Sequence, residues 1–345
     1  MTILAKYIGT SNHGSAQYAQ EEVRRLFPAA KFTLLVPTEV FLFEVPADPT
    51  EVVTTLKEQE PIFLRHVQPV HQVWELSRTE ADIDQLKVWL SEAHASGLIG
   101  SGEKVAVQVR KEERANVPYA PFAVKAALDE VIVSVLGSEP VVKQSDTIIS
   151  VYVSASKLFA GISKPADNLS DWSGGAIRFL KEEDQISRAK FKLLEAEQRF
   201  GLDFQYARAA LDIGAAPGGW TSFLLERGLR VTAIDPASMH PSLQGKPMLT
   251  IHRKNAGDVK LRQDEFDLLV CDMSWNPRQM ARLVADLLYA LQSGGTAIIT
   301  VKLMHKKPFQ TIREIMQIFE PSLYLIKAKQ LFHNREELTL YLQKT

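Results

Sequence analysis

The stretch between residues 211 and 221 reads Leu211-Asp212-Ile213-Gly214-Ala215-Ala216-Pro217-Gly218-Gly219-Trp220-Thr221. An apolar strand runs here into a glycine-rich turn, and the turn opens a helix. In position this is the ligand-binding turn of a doubly wound α/β fold, but its letters depart from the G-x-G-x-x-G pattern that admits a pyrophosphate. Pro217 stiffens the turn, and Asp212 adds a negative charge beside it. The turn therefore predicts a pocket that suits a positively charged ligand better than a diphosphate.

Apolar strands and helices alternate on both sides of this turn. We predict strands at 209–213, 230–234, 248–251, 266–270 and 296–301, and helices at 187–199, 221–227, 278–292 and 310–319. Strands of this kind, each separated from the next by a helix, indicate a parallel sheet with both faces covered. Two further strands, at 323–331 and 337–342, suit an antiparallel pair at its end. The C-terminal half is therefore predicted to be a Rossmann-like α/β domain at 179–345, with a mostly parallel seven-stranded sheet.

Shorter units precede this domain. Three strands and two helices, the strands at 3–8, 32–36 and 40–45, predict an α+β module over residues 1–66. A second series of strands and helices predicts another α+β module over 67–165. The turn-forming residues of 163–175 indicate a linker, which we place at 166–178.

Length and composition limit the class of protein. At 345 residues the chain exceeds the ~250 at which one core usually stops growing, so we expect at least two domains. No apolar run approaches the ~18 residues that span a bilayer, and no signal peptide is evident, so we predict a cytoplasmic protein without membrane contact. The single cysteine, Cys271, excludes an internal disulfide and a multi-cysteine metal site, and we expect no metal.

The net charge of −1 hides an asymmetry between the two halves. Residues 1–175 hold 16 Lys/Arg against 22 Asp/Glu, whereas residues 176–345 hold 24 against 19. The halves therefore carry −6 and +5. Such a division hints that the C-terminal half meets a polyanion.

A second carboxylate follows the second strand of the C-terminal domain. Asp235 comes directly after strand 230–234, where an acidic residue can accept hydrogen bonds from both hydroxyls of an adenosine ribose. An adenosine joined to a positively charged sulfonium suits both this carboxylate and Asp212. These residues therefore suggest S-adenosylmethionine as the cofactor.

The pattern Asp-x-Gly-Ala-x-Pro-Gly-Gly-Trp at 212–220 resembles motif I of the FtsJ-like RNA ribose 2′-O-methyltransferases. In that family a helix with Ser-Arg-Ala-x-x-Lys-Leu precedes motif I, as residues 187–193 do here. An Asp follows strand four, a Lys follows strand five, and an Arg-Glu pair opens a late strand. The resemblance thus implies a catalytic tetrad at Lys192, Asp272, Lys302 and Glu337.

The ending at 330–339 and the two-part front half are similar to the RlmM type of these enzymes. That resemblance implies a ferredoxin-like module, then a THUMP-like RNA-binding domain, then the methyltransferase domain. It also implies methyl transfer to a ribose 2′-hydroxyl of 23S ribosomal RNA, naked or in a ribosomal precursor.

The cofactor site that the motifs and the resemblance imply draws on several segments. Its members are Ser187, Asp212, Gly214, Ala216, Pro217, Gly218, Gly219, Trp220, Asp235, Asn255 and Asp272. Relatives often place an acidic residue after strand three to accept from the adenine amino group. This chain has Asn255 at that spacing and Asp258 shortly after it, so the adenine contact stays open between the two.

The tetrad also makes chemical sense by itself. A ribose 2′-hydroxyl is a poor nucleophile, so its attack on a sulfonium methyl needs a base within hydrogen-bond reach. Lys302 ends a predicted strand and can be that base. A lysine is mostly charged at neutral pH. Desolvation or a nearby cation such as Lys192 would lower its pKa, whereas Asp272 and Glu337 would raise it, so the balance depends on the geometry of the site.

Other enzyme classes share parts of these motifs. RNA cytosine-C5 methyltransferases have an Ala-Pro-Gly-Gly turn but use cysteine nucleophiles, and Cys271 lies in an apolar strand, where cysteine acts as a small hydrophobe. N6-amino methyltransferases place Asp/Asn-Pro-Pro-aromatic after strand four, where this chain has Asp272-Met273-Ser274-Trp275. A dehydrogenase would need the pyrophosphate turn that Pro217 replaces. An RNA-binding protein without catalysis, and a methyltransferase for another RNA or for a base, stay open.

Basic residues follow two strands at the rim of the predicted pocket and can hold RNA phosphates. They are Arg253, Lys254, Lys302, His305, Lys306 and Lys307. In the front half, a second set of cations could line an RNA-binding face: Lys104, Arg110, Lys111, Arg114, Lys125 and Lys157.

Overall fold

The structure, a computed structural model, describes residues 4–181, 183, 185–304 and 307–345. Contacts between residues divide the chain into two compact units, Met1–Ile177 and Arg178–Thr345. This division lies at the end of the predicted linker. Residue 3, where we predicted the first strand to begin, lies outside the described residues.

The first unit opens with a four-stranded antiparallel sheet. Its elements are β1 (Ala5–Thr10), α1 (Ala16–Leu26), β2 (Lys31–Val36), β3 (Val40–Val45), α2 (Pro49–Gln59) and β4 (His66–Pro69). The strands lie in the order β2-β3-β1-β4, and β-α-β-β-α-β is the ferredoxin-like motif. Helix α2 begins with Pro49 in its first turn, and the Asp48 carboxylate accepts a hydrogen bond from the Thr50 amide at 2.8 Å. Both are typical helix-start features.

A five-stranded mixed sheet completes the first unit. Its elements are β5 (Gln72–Glu75), α3 (Ala81–Ala95), β6 (Lys104–Lys111), α4 (Pro121–Ser134), β7 (Glu139–Val141), β8 (Thr147–Val153) and β9 (Lys157–Ser163). The order is β5-β9-β8-β6-β7. Every residue of β8 is buried, and side chains of α3 and α4 complete this hydrophobic core.

The segment predicted as a linker is packed against the first unit. It forms two 3₁₀ turns, Pro165–Asn168 and Ser173–Gly175, and Asn168 is fully buried. The Arg65 Nε donates to the Gly174 carbonyl at 3.1 Å. Gly174 has a φ of +61°, and a Cβ there would lie 2.7 Å from the Arg110 guanidinium. The glycine at 174 therefore allows the backbone to lie close to the Arg65 and Arg110 side chains, a contact that composition alone did not reveal.

The second unit is a seven-stranded sheet with helices between its strands. Its elements are α5 (Ala189–Phe200), β10 (Ala209–Ile213), α6 (Gly219–Glu226), β11 (Arg230–Ile234), β12 (Leu249–His252), β13 (Phe266–Cys271), α7 (Pro277–Leu287), β14 (Leu291–Lys302), α8 (Pro308–Phe319), β15 (Leu323–Lys329) and β16 (Glu337–Lys344). The order is β12-β11-β10-β13-β14-β16-β15. Only β16 runs against its neighbours among these strands. The predicted Rossmann-like, mostly parallel seven-stranded sheet is thus confirmed.

The boundary between α7 and β14 differs from the predicted pattern, whereas the predicted antiparallel pair at the end of the sheet is present as β15 and β16. Helix α7 ends at Leu287 and β14 begins at Leu291, whereas we predicted a helix up to 292 and a strand from 296. Buried Leu291 pairs with Phe266 of β13, so sheet pairing takes over where the apolar pattern also suited a helix. Strand β16 lies between β14 and β15, and its register places Glu337 opposite Lys302.

Candidate active site

The candidate site lies where the parallel strands of the second unit end. The glycine-rich turn follows β10, Asp235 follows β11, Asp272 follows β13, and Lys302 ends β14. Because the carboxyl ends of parallel strands share one edge of the sheet, these residues meet in the crevice where such folds bind ligands.

The turn after β10 has the backbone that only glycine adopts easily. Gly214 and Gly218 have φ values of +73° and +114°. A Cβ at Gly214 would clash with Met273, and one at Gly218 would clash with Leu243. The two glycines thus let the chain turn sharply under side chains from the loops beside it.

Asp235 holds this turn from the neighbouring strand. Its Oδ2 accepts a hydrogen bond from the Ala216 amide at 3.1 Å, and its Oδ1 accepts one from the Ala237 amide at 2.7 Å. The carboxylate is only partly buried. It therefore supports the turn while one side remains open to a ligand.

Asp212 is a fully buried carboxylate under the turn. The Thr221 hydroxyl donates to its Oδ2 at 2.6 Å. Burial raises the pKa of Asp212 to about 7; the bond from Thr221 opposes this shift, and the charges of Asp272 and Asp235 add to it. Three carboxyl groups thus lie close enough to influence one another, and a cationic ligand beside them would favour the ionised form of Asp212.

Ser187 and Trp220, both predicted to bind the cofactor, have different surroundings. The Ser187 Oγ lies against Gly219, and among the described residues it has no hydrogen-bond partner. The Trp220 indole is buried in the core and donates to the Ala189 carbonyl at 2.7 Å. The Ser187 Oγ is thus a buried, unpartnered polar atom beside the turn, whereas the Trp220 side chain joins α6 to α5.

The two adenine-contact candidates lie together after β12. Asn255 and Asp258 are both exposed, and the Asn255 Nδ2 donates to the Asp258 Oδ2 at 3.4 Å. The choice between them stays open.

Three of the four tetrad residues form one ion-pair cluster. The Lys192 Nζ lies 3.0 and 3.2 Å from the two oxygens of Asp272 and 3.0 Å from the Glu337 Oε1. Burial lowers the pKa of Lys192, but the two carboxylates outweigh it and the pKa is raised. Lys192 is therefore a charged lysine whose two carboxylate partners offset its field. Of the two opposing influences on Lys302 that the sequence allowed, the cation effect of Lys192 is thus weakened.

Lys302 has a different environment. Its backbone pairs with that of Glu337, which brings it to the same end of the sheet as the cluster. The side chain is partly buried, and among the described residues no hydrogen bond or ion pair holds its ammonium group. Its nitrogen thus remains available to a substrate.

Several supporting residues were not predicted. The Thr300 hydroxyl donates to the Asp272 Oδ1 at 2.6 Å. Buried Glu195, three residues after Lys192 on α5, accepts hydrogen bonds from the amides of Phe332 and His333 at 2.8 and 2.9 Å. A threonine in a strand and a glutamate in a helix carry no local signal, because their partners are distant in sequence.

The rim cations are only partly described. His305 and Lys306 lie outside the described residues. Lys254 and Lys307 are exposed, and the Arg253 Nε donates to the Pro236 carbonyl at 3.4 Å. In the first unit, Arg110 is turned inward, where it bonds the Thr10 hydroxyl at 2.7 Å.

The described residues can also be checked for a cysteine nucleophile, a metal site and a membrane-spanning helix. Cys271 is fully buried, and burial raises the pKa of its thiol, so it is not an activated nucleophile. The described residues hold no group of three or more His, Cys, Asp or Glu that could bind a metal. Within them, too, no helix has the length and apolar character to span a membrane.

The second unit matches known methyltransferases in sequence. Residues 185–330 match the sequence model of the FtsJ-like methyltransferase family. A curated relative named Ribosomal RNA large subunit methyltransferase M, from Laribacter hongkongensis, is 34% identical over 213 residues, 56% of this chain and 57% of that protein. Proteins of the same name from Halorhodospira halophila and Methylococcus capsulatus are 36% identical over 189 residues and 29% identical over 266 residues. The matches cover 54% of the Halorhodospira protein and 69% of the Methylococcus protein. The chain therefore spans little more than half the length of the Laribacter and Halorhodospira relatives.

Proposed function

Starting from the FtsJ-like methyltransferase domain at residues 185–330, we propose that this protein transfers a methyl group from S-adenosylmethionine to a ribose 2′-hydroxyl of RNA. The RNA is 23S ribosomal RNA, free or in a ribosomal precursor. The relatives named as large-subunit rRNA methyltransferases support the substrate. The first unit contributes a ferredoxin-like module and a THUMP-like RNA-binding domain.

The residues around the turn fit the cofactor. The carboxylates of Asp235 and Asp272 suit a sulfonium and an ammonium, and the buried Ser187 hydroxyl beside the turn has no partner among the described residues. Asp235 would take the ribose hydroxyls, and Asn255 or Asp258 the adenine. The cofactor supplies the methyl group as an electrophile.

The tetrad divides the remaining work. Lys302 is the general base and accepts the proton of the 2′-hydroxyl on its Nζ as the oxygen attacks. Asp272, fixed by Lys192 and the Thr300 hydroxyl, orients the reacting groups. Glu337 holds Lys192 from the other side and lies opposite Lys302 in the sheet. The observation that carries this proposal is the bridge from Lys192 to Asp272 and Glu337 at the end of the sheet where Lys302 lies, since these four residues come from separate parts of the chain.

The proposal can be tested with labelled cofactor. The full chain is incubated with S-adenosyl[methyl-³H]methionine and transcripts of 23S ribosomal RNA, and the product is digested to nucleosides. We expect label in one 2′-O-methylnucleoside, and none with Asp272→Asn. Label on a base would show a base methyltransferase, and binding of RNA without label would show an RNA-binding protein; either result contradicts the proposal.

A further inference from the structure

Trp275 is an exposed aromatic residue beside the candidate active site. Its side chain is 47% exposed, whereas Trp89 and Trp220 are 9% and 3% exposed. Its indole has no hydrogen-bond or ring partner within the described part of the chain. An exposed, unpartnered indole needs an explanation, because tryptophan normally buries most of its surface.

The position of Trp275 limits what its indole can reach. It lies three residues after Asp272, in the loop between β13 and α7, so its Cα is within about 11 Å of the Asp272 Cα. In the proposed reaction the ribose 2′-hydroxyl is held at Asp272 and Lys302. The base of that nucleotide is attached to the carbon next to the reacting one, so it falls within reach of an indole on this loop.

The backbone that follows Trp275 is held by hydrogen bonds at the start of α7. The Asn276 Oδ1 accepts a hydrogen bond from the Arg278 amide at 3.1 Å and caps α7, and buried Pro277 forms the first turn of that helix. Arg278 is itself bonded to Glu314 of α8 at 3.0 Å. Trp275 therefore directly precedes a capped helix start, which fixes the backbone that follows it.

We propose that the Trp275 indole stacks on the base of the nucleotide whose ribose is methylated. Unpaired RNA bases are typically held by stacking on aromatic side chains, which is strong and tolerant of sequence. An uncharged aromatic surface of this kind can hold the base near the reacting ribose without a charged partner. This inference rests on the proposed function.

The test combines changes in the protein with a change in the RNA. The substrate is a short 23S rRNA fragment that the wild-type full chain methylates, made once intact and once with the base removed from the target nucleotide and its 2′-hydroxyl kept. On intact RNA we expect Trp275→Ala to raise KM for RNA about 10- to 100-fold, the range for one lost stack, with unchanged cofactor affinity. Trp275→Phe should stay close to wild type. On the abasic RNA, wild type and Trp275→Ala should have the same KM.

Tyr206 provides the matched control. It is 86% exposed and precedes β10, at the opposite edge of the sheet. Tyr206→Ala should leave KM unchanged on both RNAs. If Trp275→Ala behaves like Tyr206→Ala on intact RNA, or loses as much on abasic RNA, the stacking assignment is wrong while the proposed function stands. If the wild type does not methylate a ribose at all, the proposed function fails first and this inference with it.

Discussion

Two lysines of the candidate site differ in what surrounds them. Lys192 has two carboxylates within 3.2 Å and a raised pKa, so it is an ionic anchor. Lys302 has no such partners among the described residues. The same residue type therefore has a structural task in one place and, in our proposal, a chemical one in the other.

Replacing each lysine by methionine should separate the two tasks. We expect Lys302→Met to lower kcat at least 100-fold, since a general base contributes about 10²–10⁴, with little change in the free energy of unfolding. Lys192→Met should lower kcat and should also lower the free energy of unfolding by about 3 kcal/mol, because Asp272 and Glu337 lose their cation. Methyl transfer and urea unfolding measure the two effects. A Lys302→Met enzyme with near-normal kcat, or a Lys192→Met protein of wild-type stability, would contradict this division.

The buried Asp212 carboxyl predicts a pH dependence of stability. Its pKa is about 7 in the folded chain and about 3.9 in an unfolded one. Between these two pH values the Asp212 carboxyl is ionised in the unfolded chain but protonated in the folded one. The free energy of unfolding therefore falls as the pH rises from 4 to 7, by roughly 4 kcal/mol in all. Asp212→Asn should remove that component.

Urea unfolding between pH 4.5 and 8 measures this component as the difference between wild type and Asp212→Asn. Asp286, exposed on α7, offers the same chemical change at the surface, and Asp286→Asn should follow the wild-type curve. Parallel curves for wild type and Asp212→Asn would show that Asp212 is ionised throughout.

At the level of elements, helix α5 joins two functions on one face. Lys192 reaches Asp272 and Glu337, and Glu195, one turn later, holds the amides of residues 332 and 333 that lead into β16. Residues three apart on a helix share a face. A single helix therefore aligns both its own lysine and the strand that carries Glu337.

The turn after β10 allows the cost of a left-handed glycine to be separated from that of a clash. Gly214→Ala adds both, since φ is +73° and a Cβ would meet Met273. Gly228 has a φ of +85° with no atom within 4 Å of a Cβ position, so Gly228→Ala reports the backbone strain alone, about 1–2 kcal/mol. We expect Gly214→Ala to lose more stability than Gly228→Ala, and Met273→Ala to recover part of that excess in the double variant. Equal losses in urea unfolding for the two glycines would show that Met273 moves aside freely.

At the scale of the whole molecule, the two units are predicted to divide the labour. Residues 178–345 contain every residue that we propose for the cofactor site, and they have their own core. We expect this fragment to fold and to bind S-adenosylmethionine like the full chain, but to methylate ribosomal RNA with a kcat/KM lower by about 10²–10⁴, because the tethered first unit raises the local RNA concentration. Calorimetry and labelled methyl transfer measure the two properties.

The first unit added separately is the control, since it cannot restore the tethering. Phosphate contacts should also make the activity of the full chain more dependent on salt than that of the fragment. Equal kcat/KM and equal salt dependence for the two would show that the first unit does not hold RNA.

Local sequence was sufficient for most elements of the second unit and for the glycine-rich turn after β10. Apolar strands separated by amphipathic helices have few packing solutions, and the glycines, Pro217 and Asp212 mark the turn at fixed short spacings. The candidate tetrad residues could also be named, because their motifs lie at the ends of predicted strands. The extent of α7 and β14 was not predictable, since an apolar run suits either structure until a strand partner is present.

Only the tertiary structure decided how these residues act on one another. Lys192 and Glu337 are 145 positions apart, and no local pattern says that Lys192 is bridged by two carboxylates while Lys302 is left open. The pKa of Asp212 depends on its complete burial and on Asp235 and Asp272, and the packing of 165–175 depends on Arg65 and Arg110. Burial and charge coupling are properties of distances in space, whereas sequence patterns report only the neighbours of each residue along the chain.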